Sequence, residues 1–314
     1  MKPVISIIIP TYNRAHSIVN TLESILEQTI SNWECIIVDD GSSDNTQEKI
    51  SKYTADPRFS YYQRPETITK GPNSCRNFGF EMSTGLWINW MDSDDIYKKN
   101  TLQCFVNNID QNIDAIVGNL VKVDSLTNEI IGYNRTFSDN ILENYYTGFL
   151  SFYVCGPLWN RNFLTRQKQL FDEEIRFLDD WDFNLRMLYQ KPNIKYINDI
   201  LIQYNIDLRS LSNQIYLLNE TEINSEITAR EKQLKIVRKN QLVDYKTCLN
   251  FTRERYKIVF RDSLIKKSSG RIKRKLLLRL IQKDIELKNF SLICKTLLGY
   301  ISFSVFNKGY FLIK

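Results

Sequence analysis

Up to about residue 120, short apolar runs alternate with segments of helical length. Each run is rich in β-branched and aromatic residues and is continuous, as expected for strands covered on both faces. The longer segments carry apolar residues at three- and four-residue spacing, for example Ile18, Leu22 and Ile25. The predicted strands are 4–10, 33–40, 59–63, 86–92 and 115–120, and the predicted helices are 16–28, 45–53, 73–82 and 99–110.

This alternation of strands and helices predicts an α/β fold with a mostly parallel, twisted sheet flanked by helices and a Rossmann-like first half. Ligands of such sheets bind at the carboxyl ends of the strands. Polar segments follow three of the predicted strands, at 10–13, 39–42 and 92–94. We therefore expect these three segments to face one crevice.

The pattern changes after residue 120. Residues 120–133 predict a β-hairpin with Ser-Leu-Thr-Asn as its turn, and a Tyr/Phe-rich stretch then runs from Tyr145 to Trp159. A helix is predicted at 181–189. Beyond about residue 215 the chain becomes helical and basic. The predicted parts are therefore 1–120, 121–215 and a helical C-terminal region, 216–314.

Composition fits an ordinary globular protein that keeps its cysteines reduced. Of the 314 residues 43% are apolar, and the six cysteines have no zinc-like spacing. Scattered cysteines of this kind favour a cytoplasmic location. The N-terminal apolar run is too short for a signal peptide, and no stretch reaches the roughly 18–20 uncharged apolar residues of a spanning helix.

Asp92-Ser93-Asp94 follows the predicted strand 86–92. Two carboxylates at this spacing can hold a hard cation such as Mg²⁺ or Mn²⁺, which would bridge a diphosphate. A turn or a helix cap is the alternative, since aspartates are common in both. The apolar strand before the segment favours the cation, because it directs the carboxylates to the ligand edge of the sheet.

The other strand ends offer groups for a nucleotide. Asp39 can accept hydrogen bonds from a base or a ribose, and Gly41 allows close backbone approach, although a turn with a helix cap explains this segment as well. Arg76 lies in the first turns of a predicted helix, which suits an anion. The first strand end contains Pro10, Thr11, Tyr12 and Arg14, where the residues after the proline supply backbone donors and Tyr12 supplies an aromatic ring.

The segments ISIIIPTYNR, ECIIVDDGSSDNT, GPNSCRNFG and WINWMDSDD together resemble the family 2 glycosyltransferases, which are inverting enzymes with the GT-A fold. The resemblance covers roughly residues 3–120. It implies a nucleoside-diphosphate sugar donor, commonly a UDP-sugar, bound by 1–120, and an acceptor bound by 121–215.

The resemblance also implies individual roles. Thr11, Tyr12 and Asp39 would hold the base and ribose, and Arg76 would help to place the nucleotide. Asp94 would be the direct ligand of Mn²⁺ or Mg²⁺, with Asp92 closer to the sugar-nucleotide.

Asp179 and Asp180 are the candidates for catalysis. The resembling family carries an acidic pair, usually Glu-Asp, whose Asp is the general base. The register gives Asp180 that role and puts Asp179 in place of the Glu, so either of the two could be the base. The alternative is an acidic helix start that favours the helix dipole.

The C-terminal region carries much of the formal charge of +6. In 271–287 five apolar residues line one helical face and basic residues occupy the rest, which is typical of a helix on an anionic membrane surface. A packed helical subdomain with a solvated basic face is equally compatible. Nucleic acid is not expected, since the chain carries no recognised nucleic-acid-binding module.

These features together predict an inverting, metal-dependent glycosyltransferase. It would transfer a hexosyl or N-acetylhexosaminyl group to a saccharide or lipid-linked acceptor in surface-polysaccharide or glycolipid synthesis. The expected location is the cytoplasm, with the inner face of the cytoplasmic membrane as the place where it would meet a lipid-linked acceptor. A nucleotidyltransferase and a non-catalytic glycan-binding relative are the alternatives.

Overall fold

The structure is a computed structural model that describes residues 2–206, 214–215, 217–266, 268–308 and 312. The chain divides into two compact units, Met1–Ser210 and Leu211–Lys314.

The first unit alternates strands and helices along most of its length. Its strands are β1 (Ile5–Thr11), β2 (Trp33–Asp39), β3 (Phe59–Gln63), β4 (Trp87–Trp90), β5 (Ile96–Tyr97), β6 (Ala115–Asp124), β7 (Ile130–Tyr133), β8 (Pro157–Asn160) and β9 (Ile194–Ile206). Its helices are α1 (Ile18–Leu26), α2 (Thr46–Ser51), α3 (Pro72–Met82), α4 (Thr101–Asn107), α5 (Ile141–Tyr146), α6 (Arg161–Thr165) and α7 (Asp179–Leu188).

The strands form one mixed sheet. Within the described residues its order is β3-β2-β1-β4-β8-β6-β9-β5, with β7 paired to β6. The first four strands pair in parallel, whereas β8 joins the two halves by antiparallel pairing to β4 and to β6. The predicted α/β sheet flanked by helices is confirmed. Parallel pairing runs through its first half and recurs in the second half between β6 and β9.

Continuous apolar runs became central strands, as predicted. Every residue of β1 is buried, as expected for a central strand that is covered on both faces. The hairpin is also confirmed, since β6 and β7 pair antiparallel with Val121 opposite Tyr133. The short strands β5 and β8 and the long strand β9 were not predicted, because their residues only pair with strands that are distant in sequence.

An aromatic cluster joins the two halves of the sheet. The rings of Phe171 and Phe183 stack with centroids 4.3 Å apart, and Trp90 meets both edge-on. Edge-to-face and stacked contacts of this kind stabilise a core beyond the area they bury. Phe183 belongs to α7, so the cluster fixes this helix against β4, whose carboxyl end leads into Asp92.

The second unit consists of four helices in its described part. They are α8 (Glu220–Asn240), α9 (Tyr245–Ile265), α10 (Gly270–Glu286) and α11 (Phe290–Phe306). The predicted apolar face of 271–287 is largely buried in α10, since Leu276, Leu277 and Leu280 are core residues. This is the packing expected of a helical subdomain.

A different helix of this unit presents apolar residues to solvent. In α11, Leu298 is 59%, Ile301 55% and Val305 66% exposed. Residues at this spacing share one face of a helix. None of the helices in the described part of the chain is both long and apolar enough to cross a membrane.

Candidate active site

The three polar strand ends meet at one edge of the sheet, as predicted. Thr11 and Asp39 are direct neighbours in the parallel register of β1 and β2, and β4 lies on the other side of β1. A guanidinium nitrogen of Arg14 lies 3.5 Å from a carboxylate oxygen of Asp94. The segments after β1 and β4 are therefore in direct contact.

Asp39 is buried and shapes the turn after β2. Its carboxylate accepts hydrogen bonds from the Ser42 backbone N–H, at 2.7 Å, and from the Tyr61 hydroxyl, at 2.9 Å. Burial and this carboxylate raise the pKa of Tyr61 to about 12, so the phenol stays a donor. Gly41 has a φ of +84°, which L side chains rarely adopt, and this explains the glycine.

The segment after β1 has one exposed ring and one unsatisfied hydroxyl. Tyr12 is 45% exposed, and the Lys70 ammonium lies 4.3 Å from its ring centroid. Thr11 is buried, and its Oγ1 has no hydrogen-bond partner among the described residues. Buried polar atoms are rarely left unsatisfied, so this hydroxyl is suited to a ligand. Pro10 is part of β1 and buried.

Arg76 is the centre of the acidic cluster. Its buried guanidinium donates to Asp92 at 2.8 Å and to Asp179 at 2.5 Å, and also to the side chain of Asn73 at 2.8 Å. Its predicted role in placing a nucleotide stays a prediction, and the contacts that the structure shows are to two carboxylates. One cation thus ties the segment after β4 to the start of α7.

Asp179 and Asp180 form the first turn of α7. The residue before them, Leu178, has a φ of +66°, a conformation that is uncommon for leucine and that clusters at functional sites. Asp180 is half-buried and accepts a hydrogen bond from the Trp181 backbone N–H at 2.7 Å. Burial, with the neighbouring charge of Asp179, raises the pKa of Asp180 to about 7.

The two acids of this pair differ in their surroundings. Burial raises the pKa of Asp179 as well, but the Arg76 guanidinium opposes the shift. Asp179 is thus bound to Arg76 by an ion pair, whereas Asp180 has a pKa of about 7. A carboxylate with a pKa near the working pH is suited to general base catalysis.

The segment after β4 holds three carboxylates of different kinds. Asp92 is bound to Arg76, Asp94 faces Arg14 with 21% of its side chain exposed, and Asp95 is fully buried. Ser93 between them is buried. Burial, reinforced by Asp94 and Asp92, raises the pKa of Asp95 well above its usual range. Asp92 and Asp94 are therefore the carboxylates available to a ligand.

The carboxylates of this site are compatible with an ion such as Mg²⁺ that the substrate helps to hold. In the described part of the chain, no three or more His, Cys, Asp or Glu side chains converge on one metal position. Mg²⁺, however, is commonly held by one or two carboxylates together with substrate phosphates. Asp92 and Asp94 match that smaller donor set, and the metal role of these two residues stays a prediction.

Strand β9 contributes residues that the sequence did not indicate. The Asn205 side chain donates to the Asp94 carbonyl at 2.5 Å, and its backbone N–H donates to the Asp95 carboxylate at 3.1 Å. These contacts span about a third of the chain, so only the folded structure brings them together. No motif around Asn205 could have revealed them.

The fold has close counterparts among solved structures. The crystal structure of S. aureus TarS 1-349 in complex with UDP-GlcNAc matches with a TM-score of 0.60, at 19% identity, over 96% of this chain and 92% of that chain. The fold is therefore that of the GT-A glycosyltransferases. The family model described as "Glycosyl transferase family 2" matches residues 6–177, and the chain belongs to this family.

Two curated relatives support the assignment. The glycosyltransferase EpsJ of Bacillus subtilis is 29% identical over 224 residues, which are 68% of this chain and 64% of EpsJ. The Escherichia coli UDP-Glc:alpha-D-GlcNAc-diphosphoundecaprenol beta-1,3-glucosyltransferase WfgD is 31% identical over 160 residues, 50% of this chain and 62% of WfgD. The matches span less than two thirds of the length of either relative.

Proposed function

We propose that this chain is an inverting glycosyltransferase that transfers a sugar from a UDP-sugar to a hydroxyl of a saccharide or lipid-linked acceptor. The observation that carries the proposal is the pair of linked acidic sites. Arg76 bridges Asp92, on the donor side, to Asp179, which adjoins a carboxyl group, Asp180, with a pKa of about 7.

The donor nucleotide is assigned to the segments after β1 and β2. The exposed Tyr12 ring offers a surface for a base, and the Thr11 hydroxyl and the Asp39 carboxylate offer polar contacts. A UDP-sugar is the preferred donor because the name of WfgD specifies UDP-Glc and TarS was crystallised with UDP-GlcNAc. The diphosphoundecaprenol-linked substrate in the name of WfgD also supports a role in surface-polysaccharide or glycolipid synthesis.

Asp94, with Asp92 beside it, would hold Mn²⁺ or Mg²⁺ together with the donor diphosphate. When bound, such a cation neutralises the charge that develops on the leaving diphosphate. Arg14 lies against Asp94, so its guanidinium is placed to contact the same phosphates once the carboxylate has a different partner. Lys70, close to Tyr12, adds a second cation on this side.

Asp180 acts as the base in the proposed reaction. Its carboxylate accepts the proton of the acceptor hydroxyl as the oxygen attacks the anomeric carbon and the bond to the diphosphate breaks. A single displacement of this kind inverts the anomeric configuration. Asp179 does not take the proton, because its ion pair with Arg76 fixes both its charge and its position.

The test is release of nucleoside diphosphate from a donor panel of UDP-Glc, UDP-GlcNAc, UDP-Gal and GDP-Man with Mn²⁺ or Mg²⁺. We expect release with a UDP-sugar, loss of release in EDTA, and loss in Asp94→Asn. Asp110→Asn, an exposed acid in another loop, is the matched control. No release and no metal-dependent nucleotide binding with any donor would disprove the proposal. The anomeric configuration of the product, measured by NMR, tests inversion.

A peripheral contact with an anionic membrane completes the proposal. The exposed apolar face of α11, which includes Leu298, Ile301 and Val305, is flanked by the exposed lysines Lys288, Lys295 and Lys308. An apolar face bordered by cations is typical of helices that lie in the interface of an anionic bilayer. A lipid-linked acceptor would then be met at the surface where it resides.

Sedimentation with vesicles tests this contact. We expect binding to phosphatidylglycerol vesicles, weak binding to phosphatidylcholine vesicles, and loss of binding in the double variant Leu298→Gln/Ile301→Gln. Leu126→Gln, which changes an exposed leucine of the β6–β7 turn, is the control. Light scattering of the same variants identifies the alternative occupant: a dimer that the double variant abolishes would show that a second copy covers this face.

A further inference from the structure

Two tyrosines stack on each other beside the acidic cluster. The ring centroids of Tyr153 and Tyr204 are 4.4 Å apart at an interplanar angle of 31°. Both residues are partly exposed. Lys122, which lies opposite Tyr204 in the register of β6 and β9, holds its ammonium 5.3 Å from the Tyr153 ring centroid.

The Tyr153 side of this pair is tied to the helix that carries the proposed base. The Asn184 side-chain amide donates to the Tyr153 carbonyl at 3.0 Å and to the Tyr145 hydroxyl at 2.9 Å. Asn184 follows Asp180 by four residues in α7, so the two side chains lie on the same face of the helix, one turn apart. The Tyr153 carbonyl is therefore held by a residue that lies one helical turn from Asp180.

The Tyr204 side is tied to the donor segment. Its neighbour in β9, Asn205, holds the Asp94 carbonyl and the Asp95 carboxylate. Burial raises the pKa of Tyr204 well above its usual range, and Asp95, Asp92 and Asp180 add to the shift. The phenol is therefore within electrostatic reach of both the donor-side acids and the base.

The backbone at Tyr153 supports a functional role. Its φ is +54°, in the left-handed region that aromatic residues rarely adopt. Among the described non-glycine residues with positive φ, Asn13 and Leu178 also adjoin the candidate site. Strained residues of this kind persist where the surrounding structure holds them, often at ligand-binding sites.

We propose that Tyr153 and Tyr204 form a stacking platform for a sugar ring of the acceptor, which presents its hydroxyl to Asp180. This inference rests on the proposed function and narrows the acceptor to one whose reacting hydroxyl belongs to a saccharide. The apolar faces of a pyranose ring pack on aromatic rings, and Lys122 supplies a hydrogen-bond donor for its hydroxyls. Asn184 connects the platform to the helix of the base, and Asn205 connects it to the donor segment.

The experiment measures transfer from the UDP-sugar to octyl glycosides of glucose, galactose and N-acetylglucosamine, with 1-octanol as the ring-free comparison. Slow hydrolysis of the same donor by water is measured alongside. We expect transfer to at least one glycoside and none to 1-octanol. In Tyr153→Leu and Tyr204→Leu the KM for the glycoside should rise about tenfold, while the KM for the donor and its hydrolysis stay unchanged.

Conservative and remote variants separate stacking from a structural role. Tyr153→Phe should retain the wild-type KM, since it keeps the ring and carries the same backbone strain. Tyr196→Ala should also leave the KM unchanged. Tyr196 precedes Tyr204 by eight residues in β9, and its ring packs on Phe137. The partners of Tyr196 and Tyr204 in β6, Val117 and Lys122, are five residues apart, so a rise of about 3.3 Å per residue puts the two tyrosines roughly 17 Å apart along the sheet.

The outcomes distinguish the two proposals. Absence of both transfer and hydrolysis in the wild type would contradict the proposed function itself. Hydrolysis with no glycoside used, or equal transfer to 1-octanol, would overturn the platform alone. An unchanged acceptor KM in Tyr153→Leu and Tyr204→Leu would do the same.

Discussion

The two units of this protein each bury a network of charges, and the networks differ in balance. In the second unit Glu226 is held by Arg230 and Arg255, Asp284 by Arg253, and Glu231 by Lys283. In the first unit a single buried arginine, Arg76, serves both Asp92 and Asp179, with Asp180 next to them. In the second unit each of these acids has a basic partner of its own. In the first unit several acids share one arginine.

The pKa values show what this difference does. Glu226 is buried, which by itself would raise its pKa, yet Arg230 and Arg255 lower it below its usual value. Burial and the charge of Asp179 raise the pKa of Asp180 to about 7, and Arg76 opposes this shift only in part. The balanced network fixes helices α8, α9 and α10 relative to one another. The unbalanced network keeps a carboxyl group that can exchange a proton near neutral pH.

The largest effect is expected from Asp180→Asn. The amide cannot accept the proton of the acceptor, so transfer should fall by about a thousandfold, within the range of general base catalysis. Binding of the UDP-sugar, measured by calorimetry, should stay within a factor of about two. Asp179→Asn is the comparison: if it proved the more damaging change while Asp180→Asn remained active, the two roles would have to be exchanged.

Removal of the central arginine of each network should lower stability to a similar extent. Arg76→Met leaves Asp92 and Asp179 without their cation, and Arg253→Met does the same to Asp284. Loss of one partner of a buried ion pair lowers the free energy of unfolding by about 3–5 kcal/mol, as urea titration would measure.

Activity should separate these two variants. Arg76 lowers the pKa of Asp180, so Arg76→Met should move the acidic limb of the pH–rate profile to higher pH. Arg253→Met should leave the profile of the remaining folded protein unchanged. A shift of the profile in Arg253→Met would contradict the distinction between the networks.

The pH dependence of stability should have opposite signs in the two units. The Asp180 pKa rises on folding from 3.8 to about 7, so its contribution disfavours the folded state increasingly as pH rises through that interval. Glu226 has a lowered pKa, and its contribution is present above the ordinary value of 4.5 and is lost as pH falls through the folded pKa. Activity should rise with pH through about 7, as Asp180 loses its proton.

Thermal unfolding of matched variants measures these signs. Asp180→Asn should be more stable than wild type at about pH 8 and close to it at about pH 4, near the lower end of the interval, because asparagine resembles the protonated acid. Glu226→Gln should be less stable than wild type at the higher pH. Equal melting temperatures of Asp180→Asn and wild type at both pH values would contradict the raised pKa.

The smallest effects are expected at two glycines. Neither Gly41 nor Gly270 has an atom within 4 Å of an added Cβ, but Gly41 has a φ of +84°. Gly41→Ala should therefore destabilise the first unit by about 1–2 kcal/mol, the strain of an L-residue in the left-handed region. Gly270→Ala, at the start of α10, should stabilise the second unit by about 0.4–1 kcal/mol. Urea titration of both variants gives the two signs.

Local patterns determined much of this protein. Continuous apolar runs predicted β1, β2, β3 and β4, since a strand covered on both faces must be apolar throughout. The polar segments that follow β1, β2 and β4 predicted one crevice, because the carboxyl ends of parallel strands meet at one edge. The four segments that resemble family 2 glycosyltransferases predicted the family, which the family model confirmed.

Only the tertiary structure decided which distant residues act together. Arg76 and Asp179 are 103 positions apart, and Asn205 and Asp94 are 111 apart. Strand β8 enters between β4 and β6, and Tyr153 comes to stack on Tyr204, through pairings that no local pattern encodes. The different surroundings of the Asp179 and Asp180 carboxyl groups also come from the tertiary structure. Adjacent residues of one type differ here because burial and the position of one arginine, set by packing across the whole first unit, determine their pKa values.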